Sequence, residues 1–446
     1  MARQVAGSVM ALGIILLSVQ QGDARATAPA EPAERPNVLV VITDDQPVRN
    51  SGMWLLDSVS GLDSVTFENA FTNNPVCCPS RATMLSGLYD HHTGVTSNQN
   101  GDRFDDSASV ATWFNDAGYR TGLYGKYLNG YPFESTSAPP GWNDWRAFVG
   151  RPDYLGYELA ENDKVVSYGS EPADYSTTVL GDKLISMIEE ANEPFFAVFS
   201  PYASHGPLVS SPEHTGVHAG KRVRKPRNFN RLMTDPPSWI ADRPRLRWSQ
   251  VASYIRATWE TLEAVDDVVE AALGVLEEQG ELDNTIIAYI SDNGFSLGSH
   301  RIPRKFCAHE ECIRVPFLIS APGVPPRNED ALVSNVDLAP TLADLAGVAH
   351  PAVDGRSLGP LMRADVTTLH RPILLHTRRS RSKPSFASPT YSGIRTKRWK
   401  LIDYRNGESE LYALPRDPHE LTNLAAKASY QQRIRKLRKK LAKLQR

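Results

Sequence analysis

Residues 37–45 read NVLVVITDD, and the reading of this stretch decides the fold. Val38-Leu39-Val40-Val41-Ile42-Thr43 is an unbroken β-branched and aliphatic run, the pattern of a strand buried on both faces, and it stops abruptly at Asp44-Asp45. Two further runs have the same texture, Phe195–Ser200 (FFAVFS) and Thr285–Ser291 (TIIAYIS). Amphipathic helical patterns lie between them at Ser109–Ala117, Thr177–Glu190 and Ser253–Gln279. Strands alternating with helices predict an α/β sandwich with a mostly parallel central sheet flanked by helices. In such sheets functional side chains gather at the carboxyl ends of the strands. The three runs lead into Asp44-Asp45, Ser204-His205-Gly206-Pro207 and Asp292-Asn293-Gly294, so each strand end carries acid/base or metal-type residues.

Outward from this frame, residues 36–350 read as a catalytic domain and 351–446 as a smaller C-terminal subdomain. In the latter, Tyr391–Tyr404 and Glu410–Leu414 predict a short antiparallel sheet and Ala425–Gln445 a terminal helix. At the other end, Arg3, the apolar run Val9–Val19 and Ala24-Arg25-Ala26 have the form of a secretory signal peptide over residues 1–26, followed by a linker at 27–35. The apolar run is shorter than the ~20 residues that span a bilayer. The expectation is a secreted or periplasmic protein with no membrane association after cleavage.

The chain has 446 residues, 41% hydrophobic and 22% charged, without a repeat period. These proportions describe an ordinary folded core and exclude collagen-like, coiled-coil and disordered chains. Lys+Arg 49 against Asp+Glu 51 gives a net charge of −2. That balance conceals two basic segments, residues 221–247 and 431–446, and an excess of acid everywhere else. A nucleic-acid binder would be basic across a whole domain, so no nucleic-acid partner is expected. Within the tail, Ile434, Leu437, Leu441 and Leu444 fall at helical spacing, which predicts a packed terminal helix rather than a free basic arm. Residues 221–247 are interrupted by prolines and read as a long loop after His205, either bordering a substrate cleft or simply solvated.

Four cysteines are too few for a disulfide framework. Cys307 and Cys312 suit a small loop closed on itself or a pairing with Cys78, and neither the 77/78 nor the 307/312 pair has zinc-ligand spacing. Residues 73–88, NNPVCCPSRATMLSGL, contain Cys-x-Pro-Ser-Arg beginning at Cys77, followed by Leu85-Ser86-Gly87. A buried core pair or a vicinal disulfide is the plain reading of Cys77-Cys78 alone. The longer pattern resembles the signature of the type I sulfatases, of the alkaline-phosphatase superfamily. The resemblance continues through residues 35–45, GKYLNGY at 125–131, SDNG at 291–294 and ELYALPRDPHELTNL at 410–424. CCPSRA, GKYLNGY, PPGW at 139–142 and PRNFN at 226–230 make it most similar to N-acetylglucosamine-6-sulfatases and heparan endosulfatases.

The resemblance implies that Cys77 is oxidised to Cα-formylglycine by a separate formylglycine-generating enzyme. One hydroxyl of the hydrated aldehyde would attack sulfur to give a covalent sulfo-enzyme intermediate, and the other would collapse to expel sulfate. Asp44, Asp45, Asp292 and Asn293 are oxygen ligands suited to a hard cation, and with Cys77 they form the implied metal set. The resemblance favours Ca²⁺ over Mg²⁺. Arg81, one helical turn after Cys77 if Pro79 opens a helix, is implied to hold the formylglycine hydroxyl. Lys126 and Lys305 are implied to donate to sulfate oxygens, and His205 to protonate the leaving oxygen. Where many sulfatases have a histidine two residues after the first lysine, this chain has Leu128 and then Asn129. Asn129 and His300 are therefore the candidate substrate-binding residues. The expected activity is hydrolysis of O-sulfate esters on N-acetylglucosamine-type sugars or sulfated glycans. Its rivals are a phosphonate monoester or phosphodiester hydrolase of the same superfamily and a glycan-binding pseudo-sulfatase whose cysteine is never converted.

Overall fold

The structure, a computed structural model, describes residues 1, 35–53, 56–131, 137–369, 371–378 and 387–446. Apart from Met1 and Arg35, the expected signal peptide and linker lie outside the described residues. No helix among the described residues is long and apolar enough to cross a membrane. Arg35–Arg446 forms one compact unit.

Its centre is a ten-stranded sheet of β1 (Asn37–Thr43), β2 (Val65–Phe71), β3 (Arg120–Gly125), β4 (Asp144–Phe148), β5 (Glu158–Glu161), β6 (Lys164–Ser167), β7 (Phe195–Ser200), β8 (Thr285–Ser291), β9 (Phe317–Ser320) and β10 (Arg327–Ser334). The spatial order is β10-β2-β9-β8-β1-β7-β3-β4-β5-β6. The inner strands β8, β1, β7, β3 and β4 are all parallel, while β9 and β5 run against their neighbours. The continuous apolar run of β1 is explained by this position. Val38, Val40 and Ile42 enter one core with Phe196, Val198 and Ile290, and Leu39 and Val41 enter the other with Ala197, Phe199 and Ile287. Burial of each such side chain contributes about 1.5–3 kcal/mol, which fixes the register of the strand at the sheet centre.

Helices cover both faces. Val110–Asp116 and Leu338–Leu345 pack on the first core, while Ser176–Glu190 and the long Trp248–Glu278 pack on the second. The long helix begins at Trp248, ahead of the expected Ser253. Its first turns bury Val251, Ala252 and Ile255 against Val223, Phe229, Phe295 and Leu297, contacts between distant segments that local periodicity does not show.

The C-terminal sheet is antiparallel, in the order β11 (Ile373–Thr377), β12 (Tyr391–Arg395), β13 (Lys400–Tyr404), β14 (Ser409–Tyr412). The final helix, Gln431–Leu444, buries Ile434, Leu437 and Leu441 on Ile394, Leu401 and Leu411. It starts later than the expected Ala425 because Asn423 holds the preceding chain in a loop, its Oδ1 accepting from the Leu411 and Ala425 amides at 3.0 Å. The other face of this sheet packs Ile373, Leu375 and Ile402 against Phe71, Ile313 and the Cys307–Cys312 disulfide.

Glu410 of β14 ties the C-terminal sheet to the loop ahead of the short helix Glu310–Ile313. It is fully buried and accepts from His309 Nε2 at 3.0 Å, from the Tyr404 hydroxyl at 2.5 Å and from the Tyr412 hydroxyl. Burial opposes its ionisation, but His309 and the two hydroxyls outweigh that and push the carboxyl down to about 2. A carboxylate depressed in the fold contributes stability that is complete above its ordinary 4.5 and is lost as pH falls towards 2. Glu410→Ala should cost about 3–5 kcal/mol at neutral pH by leaving three buried donors unpaired. In urea denaturation, the gap between wild type and variant should narrow as the solution is acidified through that window.

Candidate active site

Three parallel strands deliver the site. The Asp44 amide donates to Ala203 O beyond β7 at 2.9 Å, and the Asp292 amide beyond β8 donates to Thr43 O at 3.0 Å. The chain turns sharply at Asp45, whose φ of 59° is a left-handed value that aspartate tolerates, so successive carboxylates turn into the same crevice. Two glycines permit the close approach of these strand ends. A Cβ on Gly125, at φ 121°, would lie 2.1 Å from Ser200 O, and one on Gly294 would lie 2.4 Å from Glu311 O.

Arg81 sits at the centre of the crevice, 2% exposed. Its Nε donates to Asp292 Oδ2 at 2.8 Å, its Nη1 to Lys126 O at 2.9 Å and to Ser200 Oγ at 2.5 Å, and its Nη2 lies 3.8 Å from Asp44 Oδ2. Lys126 pairs with Asp44, and Lys305 with Asp45. Burial alone would suppress every one of these charges. Instead Asp44 is held well below the carboxylate range, chiefly by Lys126. Lys126 is held up at about 12, chiefly by Asp44. Asp292 is the exception: burial and the neighbouring Asp44 raise it in spite of Arg81.

Cys77 opens the helix Cys77–Ser86 after the extended Val76, with Pro79 in the first turn. Its Sγ donates to Asp44 Oδ1 at 3.5 Å and accepts from Lys305 Nζ at 2.7 Å. Burial and the Asp44 carboxylate push the thiol well above its ordinary value, so the unmodified side chain is a neutral thiol. The helix N-terminus beneath it favours an anion. Cys78 points away, its thiol on Asn129 O at 3.1 Å.

The oxygen groups fit a hard cation. Asn293 Nδ2 donates to Asp45 Oδ1 at 2.6 Å, and the Asp45 amide donates to Asp292 Oδ1 at 3.2 Å. Asn293 Oδ1 is buried with no hydrogen-bond partner among the described residues, an orphaned acceptor beside three carboxylates. Single ligand atoms of Asp44, Asp45, Cys77 and His205 converge within 4.8 Å of one another. Asp44, Asp45, Asp292 and Asn293 offer oxygen alone, the donor chemistry of Ca²⁺ or Mg²⁺ rather than zinc.

His205 differs from the rest in being open. Its side chain is 27% exposed against 6% or less for Asp44, Asp45, Arg81, Lys126 and Lys305. Its Nε2 is 3.7 Å from Asp45 Oδ2, and burial pushes its pKa down, partly offset by Asp44 and Asp45. The structure therefore brings together Asp44, Asp45, Cys77, Arg81, Lys126, His205, Asp292, Asn293 and Lys305.

It does not bring Asn129 or His300 into that group. The Asn129 carbonyl receives the Cys78 thiol, and its side-chain oxygen is buried without a hydrogen bond among the described residues. His300 is fully buried in a second cluster, 3.2 Å from Asn228 Nδ2, with its ring centre 4.6 Å from that of His309. Burial first, then His309, pushes it down to about 3. The sequence reading also passed over the residues that position the site. Ser80 Oγ donates to Asp292 O at 2.5 Å and receives Asn335 Nδ2 at 2.9 Å, and Ser200 Oγ links Arg81 to Lys126 O at 2.8 Å. Ser80 lies inside the Cys-x-Pro-Ser-Arg pattern and Ser200 closes its strand, so both were marked by place if not by chemistry.

Three buried cations around a helix N-terminus, with one histidine facing solvent, make a pocket for a small anionic ester. The sequence pattern of the sulfatase family matches residues 36–348, and that of N-sulphoglucosamine sulphohydrolase, C-terminal, matches 298–446. Human N-acetylglucosamine-6-sulfatase is 30% identical over 472 residues, covering 92% of this chain and 85% of its own. An extracellular sulfatase of Drosophila melanogaster is 32% identical over 355 residues, covering 74% of this chain; the chain spans 31% of that relative's length. A solved structure described as a complex with its substrate D-glucosamine-2-N,6-O-disulfate superposes with a TM-score of 0.80 at 25% identity, covering 92% of this chain and 98% of the other. Fold and site are those of a sulfuric ester hydrolase. The chain belongs to the sulfatase family.

Ca²⁺ or Mg²⁺ added to metal-stripped protein should raise the thermal midpoint in a concentration-dependent way, by binding the folded state alone. Asp45→Ala should abolish that shift, as read by thermal denaturation alongside elemental analysis.

Proposed function

We propose that the protein is an exported sulfatase that hydrolyses O-sulfate esters on glucosamine-type sugars of sulfated glycans. The observation that carries this reading is the position of Cys77, at a helix N-terminus with Lys305 Nζ 2.7 Å and Asp44 Oδ1 3.5 Å from its sulfur. The relatives named above as N-acetylglucosamine-6-sulfatase, and the neighbour bound to a glucosamine disulfate, support the choice of sugar. Export is supported by the signal-like segment at the amino terminus and by the Cys307–Cys312 disulfide, which belongs to an oxidising compartment.

In this reading a formylglycine-generating enzyme converts Cys77, and the hydrated aldehyde supplies the nucleophile for sulfur. Asp44, Asp45, Asp292 and Asn293 would hold Ca²⁺, which would supply positive charge to the site when bound. Lys126 and Lys305 donate to those oxygens as negative charge shifts across them in the transition state, from positions already fixed by Asp44 and Asp45. Arg81 fixes Asp292 and the strand ends, so that the donors need no reorganisation when substrate arrives. His205 lies where the sugar must enter, because it is the group of the set that reaches solvent. A bound sulfate beside it adds negative charge that raises its lowered pKa and lets it carry the proton to the leaving alkoxide.

Two outcomes test this reading. Cys77→Ala should abolish turnover, and the wild-type Cys77 peptide should be lighter than its thiol form by about 18 Da, a change outside the ordinary thiol oxidation ladder. Preferential turnover of aryl phosphonates over aryl sulfates would instead favour the phosphonate hydrolase. His205→Ala should lower kcat by about 10²–10⁴-fold on a sugar sulfate, whose alkoxide needs protonation, and much less on 4-nitrophenyl sulfate. Equal losses on both, or an effect confined to KM, would assign His205 to binding.

A further inference from the structure

The basic segment that follows His205 is not used by the chemistry above. Its first turn forms one wall of a cavity of about 750 Å³ lined by Arg222, Val223, Arg224, Lys225, Trp248, Ala252 and Arg256. No carboxylate lines it, and among the described residues none of its four cationic side chains forms an ion pair of 4 Å or less with an acid. Unneutralised like charges held together destabilise the free protein, so the arrangement asks for an anion.

The charges are held in place. Val223 is buried in an apolar cluster with Ala252, Phe229 and Trp259, and the extended chain on either side of it turns Arg222 and Arg224 outward. Arg256 Nε donates to Lys221 O at 2.7 Å, and Asn50 Nδ2 donates to Arg224 O at 3.3 Å. Lys225 Nζ lies 4.9 Å from the ring centre of Phe229 and 5.8 Å from that of Trp248, both within cation–π range. Trp248 gives the cavity an apolar wall as well as a charged rim, which is the pairing of surfaces that a charged sugar ring needs.

The cavity is also coupled to the reaction centre. Phe295 and Leu297, just beyond Asp292-Asn293, belong to the same apolar cluster as Val223. Asn50, which holds the Arg224 carbonyl, follows Asp45 by one short loop. Between Ala252 and Arg256 on the helix, Tyr254 stacks on Phe295 at 5.8 Å, and its hydroxyl lies 3.0 Å from where a Cβ on Gly206, next to His205, would stand. Open mouth and cationic cavity thus flank one segment of the same helix on different faces.

Resting on the sulfatase reading, we propose that this cavity is a remote anion subsite. It takes a sulfate or carboxylate of a second sugar in the same glycan chain while His205 and the buried cations hold the sulfate to be cleaved. Arg222 and Arg224 present the planar forks that pair with such groups bidentately. A long nucleic acid is the poorer occupant, because the protein surrounding the two basic segments is acidic.

The test uses the full chain and a heparin-derived hexasaccharide. Arg222→Gln/Arg224→Gln/Lys225→Gln should weaken its Kd, read by calorimetry, about tenfold or more and flatten its dependence on salt. Turnover of 4-nitrophenyl sulfate should be unchanged, which also reports that the variant is folded. Arg435→Gln/Lys436→Gln/Lys439→Gln, an equal loss of charge on exposed positions of the terminal helix, should leave the Kd as it was. An unchanged Kd in the first variant, an equal loss in the second, or equally strong binding of a single-stranded oligonucleotide of matched charge would overturn the proposal. If wild type binds the hexasaccharide through this cavity but cleaves neither it nor 4-nitrophenyl sulfate, the sulfatase reading fails and the subsite stands.

Discussion

One guanidinium holds the reaction centre together. Arg81 reaches the carboxylate that follows β8, the backbone that follows β3, the last side chain of β7 and, at longer range, the carboxylate that follows β1. Four parallel strands thus end on one buried charge carried by the helix that also carries Cys77. Breaking a buried pair of this kind by deleting one partner typically costs about 3–5 kcal/mol. The wide planar fork is what spans four strands; a lysine ammonium at the same position would reach one or two.

The cost of that arrangement explains its composition. Asp44, Asp45 and Asp292 stand against Arg81, Lys126 and Lys305 in a volume nearly closed to water. Each charge would be expelled or neutralised alone, yet within this cluster Asp44 is held ionised and Lys126 protonated, while burial and Asp44 raise Asp292. Under the proposed function, a cation held beside Asn293 Oδ1 adds positive charge to this otherwise balanced set, which favours the charged end of a sulfate ester over a neutral sugar.

How much of this was legible in the sequence follows from the range of each interaction. β1, β7 and β8 were readable because burial on both faces leaves a local signature, and their carboxyl ends marked Asp44, Asp45, His205, Asp292 and Asn293. The Cys-x-Pro-Ser-Arg pattern, through its resemblance, pointed to Cys77 and Arg81. The edge strands β5 and β6 are short and half exposed and carry no such signature. The place of His300 was not readable because it depends on contacts across the chain, with Asn228 and His309, which spacing does not encode. For the same reason Ser80, Ser200 and Asn335 were silent: a serine hydroxyl that positions an aspartate looks like any other serine until the strands are assembled. The pairing of Cys307 with Cys312, open in the sequence, is settled in the structure by the tight loop between them, while Cys78 faces Asn129.

The division of labour between strand ends and loops follows from exposure. The residues of the charge cluster are buried at the strand ends, on the Cys77–Ser86 helix and in the loop carrying Lys305, so little there can vary without disturbing it. His205 alone opens to solvent, and beyond it the walls are irregular: the loop after Asp45, the long segment from residue 221 to 247 and the turn carrying Phe295 and Leu297. The last two share an apolar cluster with the first turns of the Trp248–Glu278 helix, through Val223, Phe229, Phe295 and Leu297. Val223 anchors the backbone of the long segment there while Arg222, Arg224 and Lys225 stay exposed. A loop anchored in this way can change its exposed side chains without cost to the chemistry. Under the proposed function, recognition of a glycan beyond the ester falls to residues 221–256, and cleavage itself to the residues at the strand ends.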